Sequence, residues 1–600
     1  MPLQGGFLML NTKSVKCVYH CCRVAIATAI LFAFSLSGVF ANEKDTPKPT
    51  TKQLQKNATV AKKSASQNAK QSNVKNKPKK NKNKKPPAKV SPKPNRLTPE
   101  SFSNDNPYEA GELDFNTGNP IDKILSEHFK RIGTTPAGRC SDVVFIRRIT
   151  LDIAGRIPTT EEVKAFVADK SIDKRAKLVD RLLESDDFVN YWTMRLADIL
   201  RIKSEFPINL WPNAAQAYTR FVRKSLEDKI GWDEMARRML TSSGSNFRVG
   251  EVNFMRAMQA RNADSIANCV ALTFMGMRYD KFPETKKRAL TSFFERVGYK
   301  STKEWKEEIV FDNPALRAPF VADLPDGTKV CLSADEVPRR AFAKWLTKKG
   351  NPYFAKAFAN RIWSWVFGTP IVSPADDMFS SNPQTSPKLL SALATAFEES
   401  NFDIRSLCRM IATSATYSQS FIPRDTDANR AKKNFAVYPV RRLDAEIIID
   451  SICKITGTTE IYWSATPEPY TTLPDYEYSM RLHDGSVSSP FLELFGKAAR
   501  DTGTSTERVS EASPSQKLHM LNSSHIMNKI SNTPKGRSFF MMQRMECLNA
   551  LYYEILSRPP TRDEAKIAAK YLPQGKRDDW SAKIDIMWAT LNSEEFINKH

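Results

Sequence analysis

Amphipathic helical spacing is the feature that most limits the folds open to this chain. From about residue 118 onward, apolar residues recur three and four positions apart, as in Ile121, Ile124, Leu125 and Phe129. This spacing places them on one face of an α-helix. Similar segments follow to about residue 592. The sequence therefore predicts a mainly α-helical body.

Capping signals mark where some of these helices begin. Thr159 and Glu162 have the spacing of a capping box, and Ser333 with Glu336 predicts a second helix that runs through Trp345. In a capping box the hydroxyl and the carboxylate each accept a backbone N–H that the first helical turn leaves unpaired.

One segment breaks the helical pattern. Two Pro-punctuated β-prone runs flank Asp326-Gly327, a hairpin turn signal. We therefore predict a mainly α fold with two helical domains and a short β-hairpin excursion between them, preceded by a disordered N-terminal segment. The predicted parts are a signal peptide, a disordered linker, a helical domain, a β-prone connector and a second helical domain, at residues 1–41, 42–96, 97–300, 301–332 and 333–600.

Positive charge is concentrated ahead of the helical body. The formal net charge of the chain is +24, and residues 42–96 hold sixteen Lys and one Arg against only Glu43 and Asp45. This segment has too few apolar residues to offset its chain entropy by burial. We expect a solvated spacer that is weakly attracted to an anionic envelope polymer or membrane surface. Its lack of aromatic residues argues against nucleic acid as the partner.

The first 41 residues have the three parts of an export signal. Basic residues precede an apolar stretch at 24–38, and Ala41 ends a run with small residues at the −3 and −1 positions. Cleavage after Ala41 and a periplasmic or cell-surface location are the expectation. The uncharged run 24–41 leaves an uncleaved anchor open, although it is short for a span of ~20 residues.

Cysteine and histidine spacing gives no metal or covalent haem site. The exported chain has six Cys and no C-x-x-C pair, which excludes a local zinc knuckle and C-x-x-C-H haem attachment. Cys269, Cys408 and Cys453 lie in apolar helical runs and are predicted to be buried thiols. His519 and His525 are six apart on one predicted helix, which is not the spacing of a helical metal pair.

A repeated pattern lies near the two ends of the helical body. Gly155–Val163 (GRIPTTEEV) is followed by Leu182–Phe188 (LLESDDF), and Ser557–Ala565 (SRPPTRDEA) by Thr590–Phe596 (TLNSEEF). Pro-Thr is a general helix-start signal, so part of the similarity is capping chemistry. The shared Ser-acid-acid-Phe ending favours a helical-repeat ancestry.

The longest motifs resemble a known pair of domains. Phe145–Phe188 closely resembles the N-terminal planctomycete cytochrome-type domain of large exported bacterial proteins. Ala341–Met378 and Phe402–Ser420 resemble the domain that accompanies it, as do Arg441–Glu446 and Ser557–Glu564. The resemblance covers roughly residues 118–600. It implies membership of a paired-domain family of uncharacterised function.

Two places depart from that family's pattern. Relatives continue the helix Cys269–Arg278 into C-x-x-C-H, a c-type haem attachment motif, whereas this chain continues with Tyr279. Relatives also have a C-x-C pair where this chain has Thr504 and Thr506. The resemblance therefore implies a variant without the covalent haem c of its relatives, and no cofactor is expected.

Charged residues within apolar helices are the candidate site. Arg148 and Asp152 have i,i+4 spacing. Interdomain or capping ion pairs are the simpler explanation, and the functional alternative is a polar interdomain cleft for an anionic or sugar ligand, with Trp platforms. The candidate residues are Arg148, Asp152, Arg195, Asp198, Arg361, Trp363, Trp365, Asp376, Arg441, Arg442, Asp444, Glu507 and Arg508.

Three functions are open from the sequence. The first is a non-enzymatic, exported envelope binding or assembly protein with an anionic or glycan partner, together with a protein partner encoded nearby. The second is a periplasmic redox or electron-transfer protein, as the relatives' C-x-x-C-H implies. The third is a hydrolase acting on glycans, for which the sequence has no recognisable acid pair or nucleophile.

Overall fold

Helices make up most of the described part of the chain, as the apolar spacing predicts. The computed structural model describes residues 97–467, 470, 471, 473, 478–571 and 579–600. The predicted export signal and the Lys-rich linker lie outside the described residues. No helix within the described ranges combines the length and the hydropathy needed to cross a membrane.

The helices fall before and after a β-rich segment. The helices before it are Pro120–Ile132, Asp142–Ala154, Thr160–Ala168, Lys174–Leu183, Asp186–Ile199, Pro212–Glu227, Trp232–Thr241, Ala263–Val270 and Glu284–Ser292. The helices after it are Pro338–Leu346, Phe354–Phe367, Pro387–Glu399, Ile404–Ala412, Ala428–Lys433, Ala445–Thr456, Pro490–Leu494, Pro514–Asn522, Ser524–Ser531, Pro534–Met541, Arg544–Leu556, Arg562–Tyr571, Asp579–Leu591 and Glu594–Ile597.

Two hairpins occupy the segment between these helical regions. In the first, Val297–Ser301 pairs antiparallel with Glu308–Asp312, and the short strand Gly244–Ser245 pairs with the other edge of Glu308–Asp312. In the second, Phe320–Asp323 pairs antiparallel with Lys329–Leu332. The β excursion is confirmed, and its first strand begins a few residues before the predicted connector.

The predicted turn closes the second hairpin. Gly327 has a φ of +89°, a conformation that glycine adopts without a steric penalty, and its N–H donates to Leu324 O at 2.8 Å. Leu324 N–H in turn donates to Thr328 O at 2.9 Å. The local turn chemistry was therefore sufficient to place this hairpin.

One capping signal marks a helix start and the other does not. Glu162 N–H donates to Thr159 Oγ1 at 3.2 Å and Thr159 N–H donates to the Glu162 carboxylate at 2.8 Å, so the first capping box is confirmed. Ser333 and Glu336 also bond to each other, but the helix begins only at Pro338. The predicted start at Ser333 is wrong, because a residue before proline is held in extended backbone.

The first copy of the repeated pattern is built around an arginine. Arg156 Nη1 and Nη2 donate to both oxygens of the Glu162 carboxylate at 2.8 and 2.9 Å. Arg156 Nε donates to Asp187 at 2.5 Å. Ser185 caps the following helix by accepting from Phe188 N–H at 3.2 Å. The arginine therefore ties the start of one helix to the start of a later one.

The second copy repeats these contacts at the other end of the chain. Arg558 Nη1 and Nη2 donate to the two oxygens of Glu564 at 2.8 and 2.9 Å, and Arg558 Nε donates to Glu595 at 2.7 Å. Ser593 accepts from Phe596 N–H at 3.2 Å. The two copies of the sequence pattern therefore form the same set of contacts.

One large apolar core extends through both helical regions. One cluster of buried side chains extends from Ile121 to Phe596. Trp232, from the first region, stacks on Phe358 of the second with ring centroids 4.4 Å apart. As predicted, Cys269, Cys408 and Cys453 are buried free thiols. Between the two regions, polar side chains line a cleft.

Candidate functional site

A small, strongly charged cleft lies between the first and second helical regions. Its volume is about 180 Å³. Six basic side chains and three acidic ones line it, together with Trp365 and the polar residues Ser364, Thr504, Ser505 and Ser510. The charged lining residues are Arg195, Arg361, Arg441, Arg442, Arg508, Lys599, Asp198, Asp376 and Asp444.

A buried ion pair joins the two regions at one wall of the cleft. Arg195 lies near the end of the helix Asp186–Ile199 and donates through Nη2 to Asp444 at 2.6 Å. Its Nε and Nη2 also donate to the Tyr191 hydroxyl, at 3.2 and 2.9 Å. These bonds fix the guanidinium, while Nη1 forms no hydrogen bond within the described part of the chain.

A second arginine binds two carboxylates at once. Arg508 Nη2 donates to Asp198 at 2.8 Å, and Arg508 Nη1 donates to Glu446 at 2.6 Å. Arg500 Nε also donates to Asp198, at 2.9 Å. Burial by itself would raise the pKa of Asp198, but Arg508 and Arg500 outweigh it and lower that pKa. Arg508 is therefore held firmly by its own partners.

Asp376 connects the Arg361 helix to the segment that contains Thr504 and Thr506. Arg361 Nε donates to Asp376 at 3.0 Å, and Ser505 N–H donates to the other Asp376 oxygen at 2.6 Å. Arg361 also donates to the carbonyls of Leu272 and Thr273. This guanidinium is 1% exposed and fully partnered, which indicates a structural role.

The last residues of the chain complete the cleft. The two-residue strands Arg441–Arg442 and Asn598–Lys599 pair antiparallel. Arg441 Nη2 and Lys599 Nζ both donate to Asp152 Oδ1, at 2.7 and 2.9 Å. Gly368, at a φ of +101°, packs so closely on the Arg441 guanidinium that a Cβ there would lie 2.9 Å from Nη1.

Arg442 differs from the other arginines that line the cleft because no carboxylate forms an ion pair with it among the described residues. Its Nη groups donate to Phe495 O at 2.7 Å, to Val509 O and to the Gln516 side chain. Its Nε is buried and has no hydrogen-bond partner in the described part of the chain. Burial lowers the pKa of this guanidinium, and the nearby Asp444 carboxylate opposes that shift without outweighing it.

Nine of the thirteen predicted residues line this cleft. Arg148, Asp152, Trp363 and Glu507 do not. Asp152 lies behind it as the partner of Arg441 and Lys599. Trp363 is in the core, with its ring centroid 4.8 Å from that of Phe367. Of the two predicted tryptophans, only Trp365 lines the cleft.

Arg148 and Glu507 have structural contacts instead. Arg148 does not form the expected i,i+4 pair with Asp152. It stacks on the Tyr438 ring at 3.7 Å and donates to three backbone carbonyls, so tertiary contacts override the local spacing. Glu507 accepts from Thr502 and from the backbone N–H of Asp501.

Several cleft residues were missed by sequence reasoning. Lys599 was not predicted, and Thr504 was noted only as a departure from the family pattern. Arg500, which does not line the cleft but binds the cleft residue Asp198, was not predicted either. Arg441 and Arg442, predicted to open a helix, form a strand instead, and the helix begins at Ala445. A two-residue strand has no periodicity, so no sequence signal identifies it.

The cleft carboxylates are unsuited to donating a proton. Burial opposes ionisation of Asp444, but Arg195 and Arg508 outweigh burial and lower its pKa. The pKa of Asp376 is lowered in the same way by Arg361 and by bonds from Ser505. A general acid needs a raised pKa, so neither carboxylate is suited to that role.

His519 and His525, predicted to share one helix, lie on two consecutive helices. Ser523 has extended backbone and interrupts the single helix predicted at 514–530. His519 Nε2 then lies 3.3 Å from His525 Nδ1, and His525 Nε2 lies 2.9 Å from Glu460. Across the described ranges, no three His, Cys, Asp or Glu side chains are grouped to hold a metal ion.

Comparison with family models gives two matches in the order that the motifs predict. Residues 120–281 match PSCyt2, described as a protein of unknown function (DUF1549). Residues 338–572 match PSD1, also described as a protein of unknown function (DUF1553). The two matches support the paired-domain family. Comparison with curated proteins and with solved structures gave no match.

The cleft is shared between the two matched regions. Arg195 and Asp198 come from the PSCyt2 region, and Arg361, Asp444 and the other arginines come from the PSD1 region. Lys599 follows the PSD1 match. Formation of the cleft therefore requires both domains in contact.

Proposed function

We propose that this chain is an exported binding or assembly protein whose cleft holds an acidic residue of an envelope or extracellular glycan. The observation that carries the proposal is the buried Arg442 guanidinium, whose Nε has no hydrogen-bond partner and which forms no ion pair with a carboxylate among the described residues. An anionic ligand would supply its counter-charge, and charge-assisted hydrogen bonds are among the strongest in proteins. Two parts of this proposal, export and the Lys-rich spacer, rest on the sequence alone.

Further donors surround the same space. Arg441 Nε is buried without a partner among the described residues, and Arg195 has Nη1 free of the bonds that fix it. A planar guanidinium matches the geometry of a carboxylate, sulfate or phosphate. The excess of basic over acidic lining residues favours a negatively charged group.

The size of the cleft and its tryptophan wall favour a sugar that carries the negatively charged group. The cleft, at about 180 Å³, is smaller than the ~300–1,000 Å³ of typical small-molecule sites, so it suits a single residue of a polymer. Trp365 is half-buried in the wall, and its ring can pack against the C–H face of a sugar.

The alternatives receive less support. A glycan hydrolase acting in this cleft needs a protonated acid, whereas the cleft carboxylates Asp198, Asp376 and Asp444 all have lowered pKa values. For the redox alternative, the relatives' C-x-C pair corresponds to Thr504, which lines the cleft, and to Thr506, whose hydroxyl lies 3.0 Å from it. Threonine has no thiol chemistry, so a binding role is the better use of this space.

Isothermal titration of the purified full chain tests this proposal. The probes are galacturonate and glucuronate oligosaccharides, a sulfated sugar, inorganic phosphate and the matched neutral sugars. We expect an acidic sugar to bind at least about tenfold more tightly than its neutral counterpart, because charged hydrogen bonds contribute about 1.5–3 kcal/mol. A folded chain that binds no acidic sugar would refute the proposal, and equal binding of inorganic phosphate would reduce the ligand to a simple anion.

A further inference from the structure

A groove with different walls from the arginine cleft displays exposed aromatic rings. Its volume is about 610 Å³, more than three times that of the cleft. The segment 204–211 forms one wall, and the loop 301–308 between the strands of the first hairpin forms the other. Phe206 is 69% exposed and Trp305 is 66% exposed. Exposed large aromatics in a concave surface mark a binding site rather than a core.

The backbone around the groove is strained. Trp211 has φ and ψ of +71° and +148°, in a region that is almost restricted to glycine. Asn209 and Lys306 also have positive φ, at +55° and +63°. A hydrogen bond from Trp211 N–H to Ser204 O, at 3.2 Å, helps to hold the first wall. Such conformations cost free energy and are retained mostly where a site needs them.

Lys306 contacts two of the aromatic rings that line the groove. The Lys306 ammonium lies 5.0 Å from the Trp305 ring centroid and 6.0 Å from that of Trp211. Trp211 in turn packs on Tyr470, with ring centroids 5.3 Å apart. Phe206, Trp211 and Trp305 all line the groove, and several ring faces in one groove suit a ligand built from repeated flat faces.

The charges of the groove balance. Four acidic and four basic side chains line it: Glu205, Glu304, Glu307, Glu308, Arg256, Arg261, Lys303 and Lys306. Glu308 accepts from Arg256 and Arg261 at 2.7 and 2.6 Å, so part of this charge is internally paired. A balanced lining does not attract a polyanion or a polycation. It still provides many donors and acceptors for hydroxyl groups.

We infer that this groove binds an extended, uncharged oligosaccharide, with Trp305 and Phe206 packing on its sugar rings. The C–H faces of the sugars would cover the exposed aromatics, and the balanced polar residues would bond to the hydroxyls. The inference uses residues that the arginine cleft does not use, so it stands or fails independently of the anion-binding proposal.

Affinity electrophoresis of the full chain tests it, in gels that contain soluble β-1,3-glucan, xyloglucan, galactomannan or amylose, with polygalacturonate as the charged comparison. We expect a neutral polymer to retard the chain equally with and without about 0.5 M NaCl, since no net charge is involved. Trp305→Ala and Phe206→Ala should each weaken retardation about tenfold. Arg288→Gln, which removes a 78% exposed charge outside the groove, should leave it unchanged.

The matched control is Tyr571→Ala, which removes a 57% exposed aromatic elsewhere on the surface. Circular dichroism confirms that each variant is folded, which is expected because the substituted rings are exposed. The inference is overturned if no neutral polymer retards the wild-type chain, or if neither Trp305→Ala nor Phe206→Ala reduces the retardation. Binding of an extended peptide such as unfolded casein, lost in these variants while no glycan binds, would also overturn it.

Discussion

Arg195 Nη2 lies 2.6 Å from Asp444 Oδ2, and the two side chains are only 11% and 9% exposed. Arg195 belongs to the PSCyt2 region and Asp444 to the PSD1 region, so this ion pair joins the two domains at the cleft. Removing one partner of a buried pair leaves an uncompensated charge, which costs about 3–5 kcal/mol.

The ion pair gives a prediction for stability. Asp444→Asn should lower the free energy of unfolding by about 3 kcal/mol in urea titrations, because Arg195 loses its carboxylate. Arg195→Met should have a similar cost. The double variant should be no less stable than the poorer single variant. Additive losses in the double variant would show that the two side chains act separately.

The ion pair between Arg156 and Glu162 predicts how the stability of the fold depends on pH. Burial opposes ionisation of Glu162, but bonds from Arg156 and from Thr159 N–H lower its pKa to about 2. A carboxylate whose pKa is depressed on folding stabilises the fold above its unfolded pKa of about 4.5, and this contribution is lost as the pH falls towards 2. Glu162→Gln should therefore cost about 2–3 kcal/mol at pH 7 and much less near pH 2.5.

The neighbouring Glu161 provides the control for this prediction. Glu161 is exposed, so Glu161→Gln should change the free energy of unfolding little at either pH. Urea titrations at pH 7 and pH 2.5 measure both variants against the wild-type chain. If Glu162→Gln lowers the free energy of unfolding equally at both pH values, the contact between Arg156 and Glu162 is not stabilised by its charges.

Local chemistry explains which features the sequence predicted. The Thr159–Glu162 capping box and the hairpin at Asp326-Gly327 depend on neighbouring residues, and both are present. The Ser333 start failed because Pro338 dictates the backbone before it. Short-range rules therefore placed most elements and missed some of their ends.

Long-range pairing explains what could not be predicted in the site. The charged character of the cleft was visible in the helices, but the partners were not. Asp152 was expected to pair with Arg148 four residues away, and it binds Arg441 and Lys599 instead. These partners lie hundreds of residues away in the chain, and only the packing of the two regions brings them together.

The Lys-rich linker carries a prediction about adhesion. Residues 42–96 hold most of the excess positive charge of the chain. Deleting them should abolish binding to vesicles that contain anionic lipid, while the unfolding curve of the remaining chain stays the same. Binding of the undeleted chain should fall steeply as NaCl is raised. Binding that persists after the deletion would locate the adhesive surface elsewhere.

The absence of C-x-x-C-H gives a spectroscopic prediction. The chain expressed with its export signal in a periplasm competent for c-type haem attachment should show no Soret absorbance and no haem stain after denaturing electrophoresis. N-terminal sequencing of the same sample should begin at Asn42. A Soret band would favour the redox alternative, and a retained leader would favour an anchor.

The most direct test of the anion-binding cleft compares two arginine variants by calorimetric titration with the acidic sugar that binds the wild-type chain. Arg442→Gln removes the buried charge that has no carboxylate partner, and Arg288→Gln removes a charge that is 78% exposed outside the cleft. We predict that Arg442→Gln raises the Kd about tenfold or more and that Arg288→Gln leaves it unchanged. An unchanged Kd in a folded Arg442→Gln variant would contradict the account.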